Sequence, residues 1–396
     1  MSQTEAQLIA SNSVADGDIV GMSSSKLSGA LPAISAAALT NIPASTTRTR
    51  NKVINGGMVI AQRGNVTNHG TSDTYTAVDR FCTRVGSSFN FDISSFQSSD
   101  SPDEFGNSLK ISPDSTQTPS GGENGGIKTV FEGFDFQNFA FGTSSAKPMT
   151  LSFYAKSGSS GAGKYGIEVI AIGNGGTIQQ TRAFTITSSW QRFTFTFEAN
   201  GGATSSNIKN DNTKSFEIIW HLASGDSDKA DPITTWQTAT SMKSQTGMAN
   251  FMSSTSNEFY LTGVQLEVGS TATDFEFRSR ADEIAACQRY FVKQSGGSDV
   301  YIYAAKGQGS GSCDVGIKLN VPMRASPSIT CSSNRFFRST TSSFSSSSTN
   351  PSVVQFDSAT VFSPVLAVNV SGHSSTNNEA GGWAPTGTEL ILDAEL

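Results

Sequence analysis

Hydrophobic residues in this chain recur at every second position over much of its length, rather than every third or fourth. KPMTLSFYAKS (147–157) places Met149, Leu151, Phe153 and Ala155 on one face. KYGIEVIAIGNGGTI (164–178) alternates Tyr165, Ile167, Val169 and Ala171. Its Gly173-Asn174-Gly175-Gly176 stretch signals a hairpin turn, because Asn and Gly tolerate positive φ. SSWQRFTFTFEA (188–199) is the clearest strand: Phe193, Phe195 and Phe197 point one way, and Arg192, Thr194 and Thr196 the other. VINGGMVI (53–60), SFNFDISSF (88–96), FEIIWHLA (216–223) and EFYLTGVQLEVG (258–269) also read as strands. A period of two with one buried face, repeated at short intervals, predicts an antiparallel β-sandwich over 51–277.

One helix interrupts this pattern. Ser279 can cap it, with Asp282 three residues on. Ile284, Cys287 and Phe291 then share a stripe, which predicts a short connecting helix within 278–291. Residues 292–396 read as a second β unit, with candidate strands at 300–306, 315–322, 328–333, 352–359, 363–372 and 389–396. The stretch 339–349 holds ten Ser or Thr in eleven residues and reads as a loop or a polar strand. Residues 1–50 differ from the rest. They contain no Phe, Trp or Tyr and show no sustained period, so alone they cannot bury enough surface to offset their ordering entropy. An extended arm held by other copies of the chain, or by a larger assembly, is expected. The fold class is therefore all-β: an extended N-terminal arm, an antiparallel β-sandwich, a short connecting helix and a C-terminal sandwich-like domain.

Composition agrees. Of 396 residues, 38 are Gly and 26 Phe, and only 15% are charged, a mixture typical of short strands joined by small-residue turns. Net charge is -6 and no Lys or Arg run stands out, which disfavours a nucleic-acid groove. The N-terminal MSQTEAQLIA has neither a basic start nor a long apolar run, so no signal peptide is expected. No window reaches the roughly 18 apolar residues of a membrane helix. The four Cys (82, 287, 313 and 331) lack CxxC spacing. Buried free thiols are expected, with a Cys313–Cys331 disulfide as the alternative.

Several stretches resemble tail-fibre proteins of tailed phages. SKLSGALPAISAAALTNI (25–42) is similar to their N-terminal stem, with Ser35-Ala36 where Asp-Gly is usual. NKVINGGMVIAQRG and YTAVDRF (51–64, 75–81) resemble a recurrent opening of phage virion proteins, with Ala61 and Phe81 where Trp is usual. LTGVQLEVGSTATDFEFRSRADEIAACQRYF (261–291) matches a fibre segment almost throughout. Residues 147–268 look like a jelly-roll carbohydrate-binding module, and VPMRASPSIT (321–330) resembles a strand of the domain that often follows. The resemblance implies a homotrimer in the virion. It would attach to other tail proteins through 1–50, and a distal tip at 292–396 would meet a host-surface glycan or protein.

Sites are sparsely marked. His69, His221 and His373 lie in separate regions, and no nucleophile elbow is present. GQGSGS (307–312) lacks a following Walker lysine and reads as a loop. Asp226, Asp228 and Asp231 cluster in GDSDKAD, so calcium is the one candidate cofactor, against the alternative of a solvated acidic loop. Sugar sites pair an aromatic ring with polar groups. Candidates are Trp236 and Trp383, whose polar, turn-rich surroundings favour exposure, and Tyr301 and Tyr303. Trp190 and Trp220 lie in strong strand patterns and read as core. Receptor binding is the leading function. A capsid-surface or tail-scaffold role and a polysaccharide-degrading fibre are the alternatives.

Overall fold

The computed structural model describes residues 50–396 apart from 202–207, 240, 242, 296–302, 310–311, 332–333, 339–343, 348–351, 356–364, 372–376 and 386–388. The expectations for residues 1–49, for Tyr301 and for His373 lie outside the described residues.

The alternating segments build two antiparallel sheets. One contains β1 (Phe81–Gly86), β4 (Asn124–Glu132), β6 (Gly163–Gly173), β7 (Gly176–Ile186) and β9 (Lys214–Ser224), in the order β1-β4-β9-β6-β7, with the short strand Gln237–Thr238 beyond β7. The other contains β2 (Ile93–Ser98), β3 (Ser108–Pro113), β5 (Met149–Ser157), β8 (Gln191–Phe197) and β10 (Phe259–Val268), in the order β2-β3-β10-β5-β8. The inward faces meet in one core. Phe153 packs edge-on against Trp220 at 5.6 Å, and Phe193, Phe195 and Phe197 face the same interior. This is a jelly-roll sandwich. The β6–β7 turn falls where the Asn-Gly signal placed it, with Gly173 paired to Gly176.

Two strand expectations are corrected. VINGGMVI forms a tight loop, because Asn55 and Met58 adopt φ of 60° and 58°. The Asn55 side chain accepts from Ile60 N–H at 3.0 Å and donates to Ile60 O at 2.8 Å, which closes the loop. In SFNFDISSF only the part from Ile93 is strand. Ser87 and Ser88 are left-handed, so Phe89 and Phe91 enter the core from a turn.

The helix α1 spans Arg280–Gln288, and Ser279 Oγ accepts from Asp282 N–H at 3.1 Å. Cys287 is buried and Ile284 half-buried. Two further sheets follow. The first has β11 (Phe291–Ser295), β14 (Ser328–Cys331) and β20 (Glu389–Asp393), in the order β11-β20-β14. The second has β12 (Tyr303–Gly309), β13 (Ser312–Lys318), β15 (Asn334–Arg338), β16 (Phe344–Ser347), β17 (Ser352–Gln355), β18 (Val365–Ser371) and β19 (Asn377–Pro385), in the order β16-β15-β19-β12-β13-β18-β17. The Ser/Thr-rich stretch supplies β16, the polar-strand alternative. A second core gathers around Cys313, Ile317, Trp383 and Leu392. All four cysteines are buried thiols, with no disulfide among them.

Candidate functional site

The residues singled out from sequence do not converge. Trp236 is half-buried. Its ring meets Phe141 edge-on at 5.0 Å and its Nε1 donates to Glu198 O at 2.8 Å, which fastens a loop to the sandwich. Trp383 is fully buried, correcting the expectation of exposure. It lies on β19 opposite Tyr303 of β12, with ring centroids 5.8 Å apart, inside the second core. Turn-forming neighbours in the sequence do not expose a residue whose strand is covered.

The aspartates also separate. Asp226 projects into solvent and accepts from Lys229 Nζ at 2.8 Å. Asp228 is buried and accepts from Asn124 Nδ2 at 2.8 Å, while Asp231 is exposed two residues beyond Lys229. Among the described residues no three His, Cys, Asp or Glu side chains converge to hold a metal.

The histidines have other partners. His69 Nε2 lies 3.0 Å from Ser95 Oγ. That hydroxyl already accepts from Ala77 N–H, and both residues are buried. Burial drives the imidazole down to about 4, so this pair is a neutral packing contact at ordinary pH. His221 Nε2 meets Glu168 Oε2 at 2.8 Å on the outward side of the six-stranded sheet. Lys243 N–H also reaches Glu168, and the Ser244–Gln245 segment is buried above this pair. Both side chains are shut off from solvent.

The outward side of the five-stranded sheet is covered over Thr150, Ser152, Gln265 and Glu267 but keeps partly exposed side chains towards its Trp190 end. Cross-strand register places Phe96, Lys110, Tyr260 and Lys156 in one row from β2 to β5. Trp190, just before β8, extends the row, with its ring 5.4 Å from Lys156 Nζ and 6.2 Å from the Tyr260 ring. Two carboxylates border the row. Asp100 accepts from Trp190 Nε1 at 3.1 Å and Lys156 Nζ at 2.6 Å. Glu258 meets Lys110 Nζ at 2.5 Å and accepts from Tyr260 OH at 3.1 Å. The Lys110 ammonium holds the Glu258 carboxyl below the usual range. A second aromatic group, Tyr154, Phe105, Phe275 and the exposed Phe277, continues across this side.

Trp190 therefore corrects the expectation that it belongs to the core, whereas Trp220 is fully buried as expected. The signal was available. Trp190 has the strand parity of Arg192 and Thr194, opposite to Phe193.

Residues 261–291 lead into the joint between the two β units. Arg289 clasps Glu132 through Nε at 2.8 Å and Nη2 at 2.7 Å, and Tyr290 OH donates to the same carboxylate at 2.5 Å. The Arg80 guanidinium lies 3.4 Å over the Tyr290 ring and pairs with Glu395. Arg63 lies 3.6 Å over Phe291, and Arg324 Nη1 donates to Asn212 O at 3.0 Å.

No family model matches the chain, and no curated protein matches it. Solved structures similar to it include the family 11 carbohydrate-binding module of the cellulosomal cellulase Lic26A-Cel5E of Clostridium thermocellum, at 14% identity over 53% of this chain and 97% of that one, TM-score 0.28. The CBM22-1 xylan-binding domain of Paenibacillus barcinonensis Xyn10C is 13% identical over 52% of this chain and 94% of that one, TM-score 0.28. The enzymatically active domain of tailspike protein 4 of bacteriophage CBA120 is 13% identical over 55% of this chain and 21% of that one, TM-score 0.27.

Proposed function

We propose that this chain is a fibre component of a tailed-phage particle. In this reading it acts by binding a host-surface glycan rather than by catalysis. Residues before 50 attach it to the tail, three copies assemble, and the residue 292–396 unit stands distal. Three weak sites held together raise avidity without strong affinity at any one.

The observation that carries the reading is the joint. The segment most similar to phage fibres, 261–291, supplies the Arg289 and Tyr290 that lock one β unit to the next through Glu132. A fibre must transmit load between its modules, and buried bidentate pairs resist displacement better than a flexible linker. The partly exposed aromatic row near Trp190 supports the glycan part.

The test uses the full-length protein as a competitor. Added to host cells before phage, it should reduce adsorption in proportion to its concentration, and prior removal of surface glycan should abolish that competition. Adsorption unchanged at saturating protein, with the chain located on the capsid in particle images, would refute the proposal in favour of a capsid-surface role. Release of reducing ends from host polysaccharide would refute the binding-only assignment.

A further inference from the structure

The row on the five-stranded sheet has features that core packing does not require. Trp190 is half-buried, with its ring fixed on three sides by the Asp100 carboxylate, the Lys156 ammonium and the Tyr260 ring. A ring already held in place loses little freedom when a ligand stacks on it. The surrounding ion pairs, Lys156–Asp100 and Lys110–Glu258, are partly exposed, and such pairs add little to stability. They do present ammonium donors and carboxylate acceptors at defined positions beside the indole.

We propose that this row is a saccharide platform: Trp190 stacks on the apolar face of a sugar while Lys156, Asp100, Lys110 and Glu258 bond its hydroxyls. The ligand class is a neutral glycan. Two ammonium groups face two carboxylates, so these four side chains carry no net charge, and the neighbouring Arg192, which bonds Ser152 Oγ and Thr273 O, adds a single cation; Asp100 and Glu258 oppose an anionic chain. A polyanion would need surplus cations, as in phosphate-binding grooves. Neighbouring Arg192, Thr194 and Thr196 are exposed, so a chain can lie across the sheet. The assignment rests on the glycan-binding part of the proposed function and gives it a place.

The test is calorimetric titration of the full-length protein with hexasaccharides of glucose, xylose, mannose and N-acetylglucosamine, and with a hexuronate. The variants are Trp190→Ala, the milder Trp190→Phe, and Lys156→Met. At least one neutral hexasaccharide should bind. Trp190→Ala and Lys156→Met should weaken it at least about tenfold, equivalent to 1.4 kcal/mol, with unchanged melting temperature. Trp190→Phe should retain an intermediate affinity and serves as the readout if the alanine variant unfolds. Full affinity in all three variants would overturn this platform and leave glycan binding to another surface. Preference for the hexuronate would overturn the neutral class. Silence towards every sugar would sink the glycan-binding reading itself, and the platform with it.

Discussion

Glu132 is the residue on which the joint between the two β units turns. Its carboxylate is 2% exposed and receives three charge-assisted or hydroxyl hydrogen bonds, two from Arg289 and one from Tyr290. In Glu132→Ala the Tyr290 hydroxyl remains buried without this acceptor, which costs about 1–3 kcal/mol. Removing one partner of a fully buried ion pair costs about 3–5 kcal/mol. Arg289 is 25% exposed, however, and can recover part of its solvation. These contributions overlap, and the net expectation is a loss of about 3 kcal/mol. Scanning calorimetry should place the main transition roughly 6 °C lower. Because the loss arises from one shared contact, Glu132→Ala combined with Arg289→Met should be scarcely worse than Glu132→Ala alone. A change below about 0.5 kcal/mol, the usual scale for a surface site, or full additivity in the double variant, would refute the joint as a mechanical coupling.

Other consequences follow from burial. His69 has a folded pKa of about 4 against an ordinary 6.5, so its contribution to stability is intact above 6.5 and is lost as pH falls towards 4. Denaturant titrations should show wild type losing about 3 kcal/mol more than His69→Gln between pH 7 and pH 4, and parallel curves would exclude this role. Burial pushes the Cys82 and Cys313 thiols up to about 12, so a thiol reagent at pH 8 should label neither until the protein unfolds. A methyl group at Gly126 would lie 2.1 Å from Trp220 O. Gly126→Ala should cost at least about 2 kcal/mol, measured by urea melts, and near-neutrality would contradict the close approach of β4 and β9.

What the sequence determined by itself is the part governed by short-range chemistry. Alternation of Phe193, Phe195 and Phe197 marked β8, the Asn-Gly pair fixed the β6–β7 turn, and Ser279 with Asp282 started α1. Each signal needs only a few neighbouring residues, and each appears in the structure. Tertiary structure decided what covers each face. NGGIKTVFE gave no alternating signal, because every residue of β4 is buried. Trp383 sat among turn residues yet entered a core closed by a strand some 80 positions earlier in the chain. The Trp190 platform shows the same division. Strand parity already set its ring outward, but only folding brought Tyr260, Lys156 and Asp100 around it, from β10, from β5 and from the loop after β2. Local pattern selects the side of a strand on which a residue lies, whereas its neighbours there come from contacts that no short stretch of chain encodes.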